Sequence, residues 1–418
     1  MKSIIVKIAA ILVVLVVFDF AIGGGFWVIK KIGGGKIFYR YFDYREEYIA
    51  FAKNNKSFFS TFLSDFYDPI IGWNNPKSKH LTSMGCDGKW EAFYNDDGSR
   101  KSTNISSEEK YIIICVGDSF THGNEVGDLL TYPAFLQRMS NVKVGNYGVG
   151  AYDVLQSVLQ YEYVLKRVDA PKIGVLCIMY ENGRRNLNAF RPVYSNSVDI
   201  YEMFFFKPYF NGTRMVSSVI QSDKNTFDFS LQKADTMFTD DFWAKPKFAF
   251  PYFLSLTRAM ACPYFQCIAY QKMNRMLGRG MYTHDFNTPI ILDGMRYCVK
   301  RFVEASREHN IFPIVVFVPP NTQDVSSPST LITQLQSAYT DALILNFGDH
   351  IMDWSQYMVR EGCHPTPAGY KEIANFIHAH ILDRKLLVIS QKVRAKDEMT
   401  RQFCSMVESG SDQANLVL

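Results

Sequence analysis

The eight cysteines of this 418-residue chain form no Cys-x-x-Cys pair and no Cys/His ladder. Ligand spacing for a structural zinc site is therefore missing, and no metal ion or cofactor is expected. Blocks of basic residues are also missing. Lys and Arg are scattered and the formal net charge is only +4, which gives no electrostatic footprint for nucleic acid. Beyond the N-terminal region there is no long apolar run. The stretches 173–180 and 311–318 fall well short of the roughly 20 residues a bilayer core requires, so they read as core strands.

What the chain does have is aromatic side chains: 33 Phe and 24 Tyr bring the aromatic share to 15%, within an ordinary hydrophobic fraction of 47%. That composition suits a membrane-associated or carbohydrate-facing protein. Near the start, Lys2 and Lys7 precede an apolar stretch from Ile8 to Ile29 that Lys30, Lys31 and Lys36 close. Two readings compete. A cleaved signal peptide would use a small-residue site near Ala21 to Gly23. An uncleaved anchor would use the whole stretch with Trp27 at the interface, and the apolar character continuing past the cleavage site favours it. The expectation is a single-pass membrane protein whose main domain lies outside the cytoplasm. Asp19, inside the stretch, is read as a tolerated flanking residue rather than an intramembrane functional group. Cys115 and Cys177 fall in core strands, whereas Cys262 and Cys267 are close enough to bridge if the domain is exported.

The chain divides into the anchor (1–31), a lead-in region packing on the main domain (32–105), that domain (106–385) and a polar tail (386–418). From Tyr111, strands at 111–116, 142–147, 172–180, 311–318 and 342–346 alternate with helices at 129–139, 153–167, 291–308, 328–340 and one starting at Thr366-Pro367. This rhythm predicts an α/β fold, a parallel central sheet between helical layers. Residues 187–288 interrupt it with an aromatic insertion expected to form helices of its own.

Chemistry-bearing stretches fall at the carboxyl ends of the strands, where open α/β sheets collect ligands and catalytic groups. They are Gly117-Asp118-Ser119, Asn146 to Tyr152, Tyr180 to Asn186, and Glu361-Gly362-Cys363-His364-Pro365 before the last helix. A Ser, a His, an acid and spare donors are what acyl transfer needs. Ser119 is the candidate nucleophile and His364 its base, with Glu361, one helical turn earlier, to hold the imidazole. Oxyanion donors are the backbone N–H groups of Ser119 and of Gly150 or Ala151, and the Asn182 side chain. Arg184 and Arg185 are weaker candidates for binding an anionic substrate. His122 reads as a turn or pocket residue. Ser119 lies in G-x-S-x-T, not G-x-S-x-G, which argues against a nucleophile elbow.

In their order, these blocks resemble the SGNH/GDSL hydrolase family, over about residues 68–385. Gly117-Asp118-Ser119 resembles the nucleophile block, Asn182 the third-block asparagine, and His364 with its following Pro and helix the last block. Three positions depart: Gly183 stands where the family has Asp, Ala151 where it has the donor glycine, and Glu361 where it has Asp. Either the longer Glu361 arm reaches His364, or a backbone carbonyl orients the ring instead. Asp68-Pro-x-x-Gly-Trp73 and Asp97-Gly98-x-Arg100 look like the lead-in of membrane-anchored bacterial members, several of which act on surface polysaccharides. The resemblance implies a flavodoxin-like three-layer sandwich. It also implies a serine esterase or O-acyltransferase on an acylated, O-acetylated glycan, within a polysaccharide assembly. The rivals are an inactive SGNH-like scaffold or glycan-binding subunit, and a membrane-associated lysophospholipase.

Overall fold

The computed structural model describes residues 2–31, 64–85, 88–102, 109–169, 171–195, 206–217, 238–245, 248–262, 288–320, 328–359 and 364–387, with single positions between them. Its centre is a sheet of β1 (Ile113–Gly117), β2 (Val144–Asn146), β3 (Ile173–Met179), β4 (Phe312–Val318) and β5 (Leu343–Asn346). The strands are all parallel and lie in the order β2-β1-β3-β4-β5. That 2-1-3-4-5 order is the flavodoxin-like one, and it reverses direction between β1 and β3. In sheets of this order ligands collect at the carboxyl ends of those two strands.

The apolar strand runs follow from burial on both faces. Ile113 and Cys115 pack with Val175, Cys177, Ile314 and Val316 into one core, while Ile114, Val116, Leu176, Ile178, Val315 and Phe317 pack into the other. Each such side chain contributes ~1.5–3 kcal/mol of transfer free energy when fully buried. With α1 reserved for the N-terminal helix Lys2–Lys31, the helices of the sandwich are α2 (Tyr132–Ser140), α3 (Val154–Leu165), α5 (Pro289–Glu308), α6 (Ser329–Ala338) and α7 (Pro367–Asp383). The first core is closed by α2 and α7, and the second by α3, α5 and α6. Local chemistry sets two helix starts. Asp153 and Gln156 form a reciprocal capping box at α3, and Thr366 Oγ1 accepts from Gly369 N at 3.2 Å with Pro367 in the first turn of α7.

The lead-in adds a hairpin, His80–Gly85 with Gly88–Phe93, which the alternation signals did not reveal. Described parts of the insertion are the helix Arg191–Ser195, the strand pair Tyr209–Phe210 and Met215–Val216, and α4 (Tyr252–Ala261). Lys207 fastens the insertion to the sandwich, donating from its buried Nζ to Asp153 and to the Arg185 carbonyl. The Cys262 thiol donates to Ala244 O; Cys267 and the tail from 388 onward lie outside the described residues.

Within α1, the window Val6–Val28 is long and apolar enough to cross a membrane. Asp19 is not the idle flanking residue expected. It is 6% exposed between Phe18 and Phe20, both 58% exposed, and its carboxylate accepts hydrogen bonds from Tyr252 N and Phe253 N.

Candidate active site

Ser119 opens a one-turn helix directly after β1. The turn is tight. A Cβ at Gly117 would sit 2.2 Å from Thr121 Oγ1 and 2.7 Å from Cys177 O, so only glycine fits there. Asp118 caps the turn by accepting from Phe120 N at 2.8 Å, and its other oxygen accepts from Asn182 Nδ2 at 2.6 Å. Asp118 thus ties the end of β1 to the end of β3. Ser119 is 7% exposed, and the Asn182 amide keeps its second N–H beyond the one given to Asp118.

The loop after β2 runs alongside. A Cβ at Gly148 would lie 2.2 Å from His122 N, which is how close the two loops approach. Asn75 Nδ2 donates to Gly148 O at 2.9 Å, Trp73 Nε1 to Gly150 O at 3.1 Å, and Arg191 Nη1 to Ala151 O at 2.9 Å. In a trans peptide the C=O and N–H point in opposite directions. With the Gly150 carbonyl held by Trp73, the Ala151 N–H is turned away from the lead-in. Among the described residues neither that N–H nor that of Ser119 makes a hydrogen bond. Ala151 has φ +66°, so a non-glycine residue holds a left-handed backbone here.

His364 precedes α7, its ring 5.9 Å from that of Phe120. Its Nδ1–H donates to Glu125 Oε1 at 2.9 Å. That bond selects the tautomer whose Nε2 lone pair is left to act as a base. Among the described residues no hydrogen bond joins His364 to Ser119. Glu361, the expected acid, lies outside the described residues. Glu125 was missed because it is 239 positions from His364 and no motif marks it.

The loop carrying Glu125 is held on all sides. Arg100, 1% exposed, spends all five N–H donors on it and its surroundings: Nε on Asp128 Oδ1 at 2.7 Å, Nη1 on the carbonyls of His122 and Gly123, and Nη2 on those of Glu91 and Val126. Tyr370 donates to Asn124 O at 3.1 Å, and Gly85 packs so closely that a Cβ would meet Glu125 Cγ at 2.8 Å. Asp97 makes a separate junction, accepting from Ser99, from Tyr111 before β1 and from Tyr147 after β2. These hydrogen bonds outweigh burial and hold its carboxyl below the usual range.

His122 is buried in the turn after Ser119. Nδ1–H donates to Asn124 Oδ1 at 2.6 Å and Nε2 accepts from Tyr94 at 2.8 Å, so neither nitrogen is left for catalysis. Burial, aided by the Arg100 charge, holds its pKa well below 6.5 and keeps it neutral. Gly183 is closely packed: a Cβ would lie 3.0 Å from Ile291 and 3.1 Å from Met295, so a larger side chain requires those two to give way. Arg185 pairs with Glu181 within its own helix, and Arg184 is buried with its carbonyl accepting from Trp243. A cavity of about 360 Å³ lined by Glu109, Tyr111, Lys143 and Asp169 lies at the amino ends of the strands, on the opposite edge from Ser119. Among the described residues no cluster of three His, Cys, Asp or Glu side chains could hold a metal ion.

No family model and no curated protein matches the chain. Solved structures do align. A member of the lipolytic G-D-S-L family from Veillonella parvula is 13% identical, with 63% of this chain and 93% of that one covered at a TM-score of 0.30. A GDSL-like lipase from Bacteroides thetaiotaomicron is 10% identical, covering 68% and 92% at 0.32. An acetyl xylan esterase from the rumen bacterium Butyrivibrio proteoclasticus is 10% identical, covering 69% and 68% at 0.31. At these scores it is the strand order and the crossovers, not the alignments, that define the fold.

Proposed function

We propose that the chain is an SGNH-type serine esterase or O-acyltransferase, anchored by α1, that acts on an acylated glycan outside the cytoplasm. The observation that carries this reading is the Glu125–His364 pair set beside the Ser119 turn. Ser119 Oγ attacks the ester carbonyl carbon while its proton passes to His364 Nε2, and Glu125 stabilises the imidazolium that forms. The oxyanion is received by the N–H groups of Ser119 and Ala151 and by Asn182. Collapse expels the alcohol, which takes the proton from His364, and leaves an acyl-serine. Water or a sugar hydroxyl then repeats the sequence in reverse. Closing the distance from His364 to Ser119 falls to substrate binding, since catalytic hydrogen bonds often tighten only in the complex.

Glycan as substrate is supported by the lead-in resemblance and the aromatic composition. Retention of α1 is supported by its contacts with α4, which a cleaved leader would have no reason to make. The test is the purified full-length chain with a chromogenic acetyl ester. Ser119→Ala and His364→Ala are expected to abolish turnover and fluorophosphonate labelling. Equal turnover in all three proteins would sink the enzyme reading in favour of a scaffold. Faster release of acyl groups from lysophospholipid than from acetylated glycan would replace the glycan by a lipid.

A further inference from the structure

The described part of the insertion nearest α1 follows that helix closely. Phe248 lies against Phe26, with ring centroids 4.3 Å apart, and Phe250 stacks on Phe20 at 5.6 Å. A Cβ at Gly23 would be 2.5 Å from the Tyr252 ring, so the glycine is what admits it. Residues 248 to 252 thus run antiparallel to α1, from the level of Phe26 to that of Asp19. There the chain turns into α4, whose cap residue Pro251 offers no side-chain acceptor. Asp19 supplies it, accepting from Tyr252 N at 2.7 Å and Phe253 N at 2.5 Å. Beyond α4 the chain returns: the Phe265 ring is again beside Phe248, at 6.4 Å. The segment is a hairpin with its tip at Asp19.

The depth of that tip follows from helix geometry. Val28, the end of the apolar window, is nine positions beyond Asp19, and at ~1.5 Å per residue this is about 14 Å. A hydrocarbon core is about 30 Å thick, so the tip lies close to its midplane. The hairpin is dressed accordingly. Phe250, Phe253, Leu254 and Met260 are all exposed, by 48–69%. Helix-starting N–H groups in hydrocarbon require an internal acceptor, and a carboxylate in a membrane helix requires partners; each group supplies what the other lacks.

We infer that residues 248–261 form a re-entrant hairpin inserted into the bilayer leaflet on the side of the catalytic domain, with lipid acyl chains covering its apolar face and Asp19 pinning its tip. The inference rests on α1 being a membrane span. Its occupant is lipid because the exposed face continues the exposed face of α1 at the same depth. Arg258, more than a turn along α4 from the tip, has the long stem to carry its charge toward the headgroups.

The test uses the full-length chain reconstituted in vesicles of phosphatidylcholine and phosphatidylglycerol. Phe253→Cys and Leu254→Cys are reacted with a membrane-impermeant maleimide, counted above the unsubstituted chain's own labelling, with the fully exposed Met352→Cys as reference. Expected is labelling at least an order of magnitude slower than the reference, in a chain that resists alkaline carbonate extraction. Adding Asp19→Leu, which removes both acceptors, should raise the rate at the hairpin positions. Reference-like labelling in a carbonate-resistant chain overturns the hairpin while leaving the anchor intact. Release by carbonate overturns the anchor and the hairpin together. Protection in native membranes but not in lipid-only vesicles overturns lipid as the occupant and points to a partner protein.

Discussion

The loop after Ser119 and the hairpin at α4 are each held by one charged side chain of opposite sign. Arg100 gives five donors, four of them to backbone carbonyls and the fifth to Asp128, whereas Asp19 gives acceptors to two backbone N–H groups at a helix start. The loop packs against protein, with Asn124, Glu125 and Gly127 half-buried, and carries Glu125, which accepts from His364. The hairpin presents apolar side chains outward, and among the described residues Asp19 is its polar tether to α1. The difference teaches that irregular backbone near a site is fixed by saturating its carbonyls, whereas a segment with an apolar exterior needs only its helix end satisfied, because the surroundings hold the rest.

The sharpest way to break this comparison is at the acid. Glu125→Gln should lower kcat by ~10⁴-fold with little change in KM, as loss of a triad acid does elsewhere. Glu361→Gln should leave the rate near the wild-type value. If the loss follows Glu361 instead, the Arg100-held loop is scaffold only. Next in size is the tether. Arg100→Gln strands an acid and several carbonyls in a buried place and should cost about 3–5 kcal/mol in denaturant unfolding of the full chain in detergent. Asp19→Asn keeps an acceptor oxygen and should cost ~1 kcal/mol or less. Comparable losses from the two would erase the distinction between saturated loop and single tether.

A pH-dependent effect belongs to His122, in the Arg100-held loop. Its folded pKa is depressed, so below the unfolded value of 6.5 the unfolded chain binds the extra proton. Stability should therefore fall as pH drops from 6.5 toward the folded pKa, by up to ~1.4 kcal/mol per pH unit for this one group. His122→Gln should flatten that slope and leave the pH dependence above neutrality unchanged. A slope unchanged in the variant would place the titration elsewhere.

Much of the sandwich was legible in the chain. Strand runs such as Ile173–Met179 are buried on both faces, so every residue had to be apolar, and Thr366-Pro367 marks a helix start by local chemistry alone. Asn182 and Ser119 could be placed on one edge because strand ends converge there. Glu125 could not, nor could the second role of Asp118 as a brace for Asn182. The hairpin His80–Phe93 was missed because its inward face is only half buried and includes Ser83, Gly85 and Gly88, so few apolar residues mark it.

The sequence by itself determined the periodicity of the elements, the apolar N-terminal helix and the residue types at the strand ends, since these depend on neighbours a few positions apart. Only the tertiary structure decided that His364 donates to Glu125, that Arg100 braces the loop between them, and that Asp19 caps α4. Those pairings span 239, 22–28 and 233 positions of chain. A local pattern specifies which face a side chain occupies, but not which distant group meets it there, because that depends on how the layers pack.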